Sequence, residues 1–224
     1  AEQGKNWAQA AESYRKALQL SGELSDRSTA SDITDRLTAA VFRQELDLSK
    51  KNFDQAQWQD TITSLERARG LIAANPAAVS DTERGEVRQL LVNARLYRML
   101  AAARAAYQQQ DWELAIKEYE QALTLLAEES ASGDKTLTES VAKVEKTLLL
   151  VRIAQVQEQV TRAEGRGDLS AAVAHRREIQ TIIRRSGHAQ TPSIRTLAQQ
   201  VQTRIAADLE QLEVDRLTAW LENN

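Results

Sequence analysis

The sequence predicts an all-α fold built from repeated helical hairpins, and its composition is the first observation behind that prediction. Of the 224 residues, 42% are apolar and only 4% are aromatic, and there are just 8 Gly and 2 Pro. Ala, Leu, Glu, Gln and Arg, which favour helices, dominate instead, while residues typical of strands and turns are scarce. The other two observations are an internal repeat and the apolar stripes that accompany it.

An internal repeat runs through the chain with spacings of 51, 54 and 57 residues. Each copy has a bulky anchor, a small residue three positions later, a bulky residue after seven and a small residue after ten. These positions share one face of a helix. The anchors are Trp7, Trp58, Trp112 and Leu169. The copy at Trp112 fits best, whereas the last copy has Arg176 at its second bulky position.

Each anchor opens the second helix of a hairpin, so a first helix must precede it. Segments with Gly, Ser, Asn and Pro separate the hairpins. We therefore predict a single repeat domain over 1–224 with about seven helices, in which the first helix of each hairpin is elongated. The predicted first helices cover about 30–51, 81–110 and 137–164. The units are 1–20, which is truncated, then 30–73, 81–129 and 137–186, with a C-terminal helix over 192–221.

Apolar stripes support the helices. Along 137–164 a stripe from Leu137 to Val151 gives way to a second from Leu149 to Val160, so the buried face rotates as the helix changes neighbours. In the last helix one stripe comprises Ile194, Leu197, Val201, Ile205, Leu209 and Leu212, and is completed by Leu217, Trp220 and Leu221.

Local signals mark where helices begin. Ser80 with Glu83, and Thr136 with Glu139, fit the capping box, in which a hydroxyl and a carboxylate satisfy free backbone amides reciprocally. Pro192 fits the first helical position, where its missing N–H costs nothing. The segment 165–168, Gly-Arg-Gly-Asp, fits a hairpin turn, which we prefer to an adhesion motif because a turn accounts for both glycines.

Residues 102–125, AARAAYQQQDWELAIKEYEQALTL, resemble the tetratricopeptide repeat. The residues that match the family pattern are Ala103, Tyr107, Asp111, Trp112, Ala115, Tyr119 and Ala122. Small residues let two helices approach, and aromatic residues fill the gap to the next hairpin. A standard repeat has about 34 residues, so roughly 20 extra residues lie in the first helices here. We expect the overhang to pack on neighbouring first helices or on another chain.

The resemblance implies an α-solenoid with a concave groove lined by first-helix residues. In register with the matching stretch, the groove candidates are Arg43, Lys50, Tyr97, Arg104 and Tyr107. Tyr and Arg are enriched at binding hot spots. The alternative interpretation is that Tyr107 and the neighbouring leucines belong to the core.

A run of arginines forms a candidate basic patch near the C-terminal third of the chain. Its members are Arg176, Arg177, Arg184 and Arg185. Such a patch could bind an acidic protein, an anionic lipid or a nucleic acid. We favour the simpler interpretation that these arginines face solvent and pair with nearby acids. A formal net charge of −3 and the lack of interleaved aromatic residues further disfavour nucleic acid.

Several kinds of chemistry find no support in the sequence. Without cysteine there can be no disulfide, thiolate zinc site or cysteine nucleophile. No phosphate loop, serine elbow or metal-binding histidine spacing occurs, and His175 and His188 are isolated. No apolar stretch approaches the roughly 18 residues of a membrane span. We therefore expect no enzyme activity, no cofactor and no metal.

The leading hypothesis is a protein–protein interaction scaffold or adaptor domain that binds another protein through its groove. From the abrupt ends and the Ala/Gln/Arg-rich composition we expect a piece of a larger, membrane-anchored protein of bacterial type, located in the cytoplasm or the periplasm. The alternatives are a homo-oligomerising structural module, motivated by the long helices, and a binder of anionic lipid or nucleic acid through the basic patch.

Overall fold

The computed structural model describes the backbone of residues 6–23, 27–130 and 135–223, with the side chains of this part except 21–23, 27, 28, 130 and 135–138. The described part contains only helices and no strand, which confirms the all-α part of the prediction, and it has eight α-helices where about seven were predicted. The helices are α1 (Trp7–Glu23), α2 (Arg27–Asp54), α3 (Trp58–Ala74), α4 (Asp81–Gln108), α5 (Trp112–Ser130), α6 (Lys135–Gly165), α7 (Leu169–Arg185) and α8 (Pro192–Glu222). A short 3-10 turn, Pro76–Ala78, precedes α4.

Long and short helices alternate, as the sequence predicts. The first helices α2, α4, α6 and α8 have 28, 28, 31 and 31 residues. The second helices α1, α3, α5 and α7 have 17, 17, 19 and 17 residues. At about 1.5 Å per residue, each first helix outruns its partner by roughly 14–21 Å. None of the helices in the described ranges is long and apolar enough to cross a membrane.

The chain separates into two compact units, residues 1–98 and 99–224. The core of the first unit is formed by Phe42, Leu46, Ile62, Leu65, Ala68, Val79, Val87, Leu91 and Ala94. A core of the second unit joins α6, α7 and α8 and includes Leu149, Ile153, Val156, Val160, Ala163, Ala172, Val173, Ile179, Ile183, Ile194, Val201 and Ile205. Both stripes predicted for α6 are buried from Val144 onward, while the Leu137 side chain lies outside the described residues.

The same turn closes three hairpins. Ala56, Gln110 and Gly167 occupy equivalent repeat positions, and each has a positive φ, of 57°, 59° and 70°. In the first turn the N–H of Gln57 donates to the carbonyl of Asn52, and the N–H of Ala56 to that of Phe53, both at 2.9 Å. This pair of bonds is the Schellman motif, which satisfies free carbonyls at a helix end. Only the third copy has glycine, the residue for which a positive φ carries no steric cost.

The beginnings of the helices follow local sequence signals. Ser80 and Glu83 form the predicted capping box, with the N–H of Ser80 donating to Oε2 of Glu83 at 3.0 Å and the N–H of Glu83 to Oγ of Ser80 at 3.3 Å. Pro192 is the first residue of α8, as predicted. Thr136, predicted to precede α6, lies inside it because the helix begins one residue earlier.

Candidate interaction surfaces

Arg43 and Lys50, predicted to line a groove, form ion pairs within the first unit. Nε of Arg43 lies 2.8 Å from Oε1 of Glu83, and Nζ of Lys50 lies 2.6 Å from Oε1 of Glu86. These pairs link α2 to α4. The Arg43 guanidinium also stacks over the Trp7 ring, 5.2 Å from its centroid. A partner that used either cation would therefore have to displace an existing ion pair.

Tyr97 belongs to an aromatic cluster at the turn between α2 and α3. Its ring stacks on Trp58 with centroids 5.1 Å apart and meets Phe53 edge-on at 5.7 Å. The side chain is nevertheless 47% exposed. A tyrosine held by two other rings loses little conformational freedom on binding, which is the property of a binding hot spot.

In the second unit, Tyr107 lies at the turn between α4 and α5, at the repeat position of Phe53, and Arg104 lies three residues earlier in α4. The Tyr107 ring meets Trp112 edge-on at 5.4 Å and remains partly exposed. The indole N–H of Trp112 donates to Oε2 of Glu158 at 2.6 Å, and this bond lowers the pKa of Glu158. Burial raises the pKa of Tyr119 above its ordinary value, although the exposed Arg104 beside it opposes the shift. Trp112 thus joins the hairpin turn to α6.

An open groove of the second unit lies between α5, α6 and the end of α7, with a volume of about 690 Å³. Leucine and isoleucine side chains form its apolar part: Leu123, Leu148, Leu149 and Ile182. Its polar part comprises Glu120, Thr124, Glu145, Arg152, Arg185, Ser186 and His188. None of the predicted groove residues lines it, because the resemblance directed attention to α2 and α4.

Among the described residues, some charged or polar side chains at this groove have ion-pair or hydrogen-bond partners and others do not. Arg152 and Glu120 pair with each other at 2.6 Å. Arg185 is exposed and forms no ion pair with any side chain in the described ranges. Nε2 of His188 is shielded from solvent and makes no hydrogen bond within the described part, and it lies 3.6 Å from a carboxylate oxygen of Glu145. Leaving a buried polar atom unsatisfied costs free energy, which a ligand group could recover.

Arg176 does not belong to a surface patch, so that prediction is wrong for this residue. The side chain is buried, and its guanidinium forms ion pairs with Asp208 of α8 and Glu164 of α6. Arg204 adds contacts of 3.6 Å to Glu164 and 3.4 Å to Asp208. A buried arginine requires charged partners of this kind because water no longer solvates it.

The other predicted patch residues, Arg177, Arg184 and Arg185, are exposed. At the position of Arg177, the two preceding second helices have Glu66 and Glu120, which pair with Arg95 and Arg152 at 2.6 Å in both cases. In α8 the position of those arginines is taken by Leu209. The third interface thus lacks the surface ion pair and has the buried pair of Arg176 and Asp208 instead.

Comparisons with known proteins return no matching family model, no matching curated protein and no matching solved structure. No group of three or more His, Asp or Glu side chains that could hold a metal ion occurs among the residues that the structure describes.

Neither the groove nor the ion pair of Arg176 and Asp208 was predicted from the sequence, and the reasons differ. The groove is formed by residues from three helices and a turn, and no spacing in the sequence links Glu120, Arg152 and His188. The ion pair did leave a signal, since Arg176 interrupts the repeat at a bulky position. An acid at an apolar position of a following helix, here Asp208, would have completed that signal.

Proposed function

We propose that this chain is a protein-interaction module whose second unit binds an extended peptide segment of another protein in the groove between α5, α6 and α7. The observation that carries the proposal is an apolar floor combined with two polar groups that lack a partner among the described residues: Nε2 of His188 has no hydrogen bond there, and Arg185 has no ion pair there. A peptide supplies backbone donors and acceptors for the first group and an acidic side chain for the second.

The shape of the groove favours a peptide over a compact ligand. The groove is partly open to solvent, whereas sites for small molecules bury most of their ligand. Leu148, Leu149 and Ile182 provide room for an aliphatic side chain. We therefore expect a preferred ligand with an aliphatic residue close to an Asp or Glu.

The tetratricopeptide likeness supports the same class of function. Long and short helices alternate, the three equivalent hairpin turns are alike, and exposed Tyr97 and Tyr107 are fixed by neighbouring rings. Stacked hairpins of that family present surfaces for protein recognition. We propose a tetratricopeptide-like solenoid with Tyr97, Arg104 and Tyr107 as additional contact residues.

The test is selection of peptides from a random displayed library against the whole chain, followed by titration of the selected peptides. Arg185→Glu should weaken binding of acidic peptides at least tenfold, because it places a carboxylate beside the ligand's own. Arg184→Glu is the matched control, since Arg184 is also exposed on the same helix but does not line this groove. Equal effects of the two substitutions, or a library that yields no binder, would contradict the proposal.

A further inference from the structure

The groove between α5, α6 and the end of α7 is lined by two carboxylates and two guanidinium groups. The carboxylates belong to Glu120 and Glu145, and the guanidinium groups belong to Arg152 and Arg185. Their formal charges cancel, so these four side chains give the groove no net charge. A ligand with acidic residues alone would bring its charge near two carboxylates as well as near two cations. An acidic group by itself therefore complements only part of the groove.

One carboxylate and one guanidinium of the groove already pair with each other. Nη2 of Arg152 lies 2.6 Å from Oε1 of Glu120. Arg185 has no ion pair in the part of the chain that the structure describes. Within ion-pair distance of Glu145, the described residues offer only His188, 3.6 Å away, which carries a charge only when it is protonated. Arg185 and Glu145 thus present a ligand with one positive and one negative group that no opposite full charge offsets.

These two groups lie near the same end of the groove. Arg185 is the last residue of α7, and His188, which is close to Glu145, follows three residues later. The side chains of Glu145 and Arg185 are both exposed, one on α6 and the other on α7. One turn further along α6, Leu148 and Leu149 are buried and form part of the apolar floor. The end of the groove therefore combines a buried apolar surface with two exposed opposite charges.

A peptide in an extended conformation matches this arrangement. Successive side chains of an extended chain point to opposite sides. When one aliphatic side chain contacts the apolar floor, the side chains before and after it point toward solvent. Arg185 and Glu145 are exposed on that side of the groove. An acidic neighbour can then pair with Arg185, and a basic neighbour can pair with Glu145.

We propose that the groove selects a segment in which an acidic and a basic residue flank an aliphatic residue, and that Glu145 selects the base. This inference rests on the proposed function, because it specifies the peptide that the same groove binds. Complementary charges add more to specificity and orientation than to affinity. Because exposed ion pairs contribute little, removing the ligand's base should weaken binding by roughly two- to fivefold.

The probes are the peptides selected from the displayed library, and variants of them with one charged residue replaced by Gln. We expect selected sequences to carry both charges next to an aliphatic residue. Removing the base should weaken binding to the wild-type chain but not to Glu145→Gln, which has already lost the partner of that base. Glu145→Lys should reverse the preference, so that it binds more tightly once the base is replaced by Glu. The matched control is Glu128→Gln, since Glu128 is also an exposed acid of the second unit but does not line the groove.

The possible outcomes separate this inference from the proposed function. If peptides bind and Arg185→Glu weakens their binding, but Glu145→Gln behaves like Glu128→Gln, the proposed function holds and the role given to Glu145 is wrong. Selected peptides with acids but no base beside the aliphatic residue would overturn the inference in the same way. If no peptide binds, both proposals fail. The melting temperature of Glu145→Gln should match that of the wild-type chain because the side chain is exposed, so a loss of selectivity cannot be attributed to unfolding.

Discussion

The ion pair of Arg176 and Asp208 occupies positions that are apolar elsewhere in the repeat. The equivalent residues are Leu65 with Ala94 in the first unit, and Tyr119 with Val151 in the second. All six side chains are buried. Burying two charges stabilises a protein little compared with an apolar pair, but removing one partner leaves an unpaired charge. We therefore interpret the pair as selecting α8 as the helix that packs against α7, while adding little to the stability of that interface.

Substituting this pair separately and together tests that interpretation. Asp208→Val should reduce the free energy of unfolding by about 3–5 kcal/mol, because Arg176 then stays buried with only the partly exposed Glu164. The double variant Arg176→Tyr/Asp208→Val restores the residue pair of the preceding interface and should lose much less. Urea unfolding of both single variants and the double variant gives the coupling free energy. Additive losses would show that the two charges do not stabilise each other.

The carboxylate of Glu83 accepts hydrogen bonds from Arg43 and Ser80, so its protonation makes both contacts depend on pH. Partial burial would raise its pKa, but hydrogen bonds from Arg43 and Ser80 outweigh burial and lower the pKa. A folded-state pKa below the unfolded value adds stability at neutral pH, which is lost as the pH falls through the folded pKa. The loss therefore begins below the unfolded pKa of a glutamate, about 4.3.

We expect Glu83→Gln to be less stable than wild type at neutral pH and to lose less stability on acidification. The amide cannot pair with the Arg43 guanidinium as a carboxylate does, and it does not titrate. The measurement is urea unfolding at about pH 7 and about pH 3.5, on either side of the unfolded glutamate pKa. Glu86→Gln serves as a control, since it removes a more exposed ion pair that should contribute little. Identical pH dependence of wild type and Glu83→Gln would contradict the assignment.

At the scale of the helices, the three equivalent turns differ in how well the following helix is capped. Oδ1 of Asp111 accepts from the N–H of Leu114 at 3.1 Å, and Oδ1 of Asp168 accepts from the N–H of Ala171 at 2.9 Å. Gln57, at the same position before α3, forms no such bond. The backbone of the turn is the same in each copy, so the difference lies in the side chain.

Gln57→Asp should therefore stabilise the chain by roughly 0.5–2 kcal/mol, the usual contribution of an N-cap. The carboxylate would accept a hydrogen bond from a free amide of α3 and would also interact favourably with the positive end of the helix. Thermal unfolding followed by circular dichroism should show a higher melting temperature. Gln57→Asn, a neutral cap, separates the hydrogen bond from the charge. A lower melting temperature for both variants would show that the turn geometries are not equivalent.

Helix α8 differs from α6 because the side of α8 with Ile194 is buried, whereas the side with Leu217 is exposed to solvent. The sequence predicted a single stripe from Ile194 that Leu217, Trp220 and Leu221 complete. At 100° per residue, Leu217 is rotated by about 140° from Ile194, on another side of the helix. Ile194 is buried and Leu217 is exposed. Grouping these apolar residues into one stripe did not take account of the side of the helix on which each residue lies.

At the scale of the whole molecule, the repeat determines which surfaces are covered. Within the second unit, one side of α8 packs on α6 and α7, and the side with Glu210 and Glu213 is exposed together with Leu217 and Leu221. The proposed peptide groove lies between α5, α6 and α7 and does not involve this exposed side of α8.

The sequence by itself determined the helices, because their signals are local. Periodicity of apolar residues, the capping box at Ser80 and the repeated turns act over a few residues, so the long and short helices and their bounds could be predicted. The repeat also identified the small and bulky positions that are buried in α3, α5 and α7. Arg176 was visible as an exception to the repeat, but not as an ion-paired residue.

Only the tertiary structure decided which side chains from distant helices meet. The pairing of Arg176 with Asp208, the groove around His188 and the exposure of Leu217 depend on the packing of helices, which spacing along the chain does not encode. Burial cannot be inferred for a charged residue unless its partner is known, since charge favours solvent and a partner reverses that preference. Interactions between residues close in sequence therefore determined the helices, and the contacts between helices determined which surfaces are available for binding.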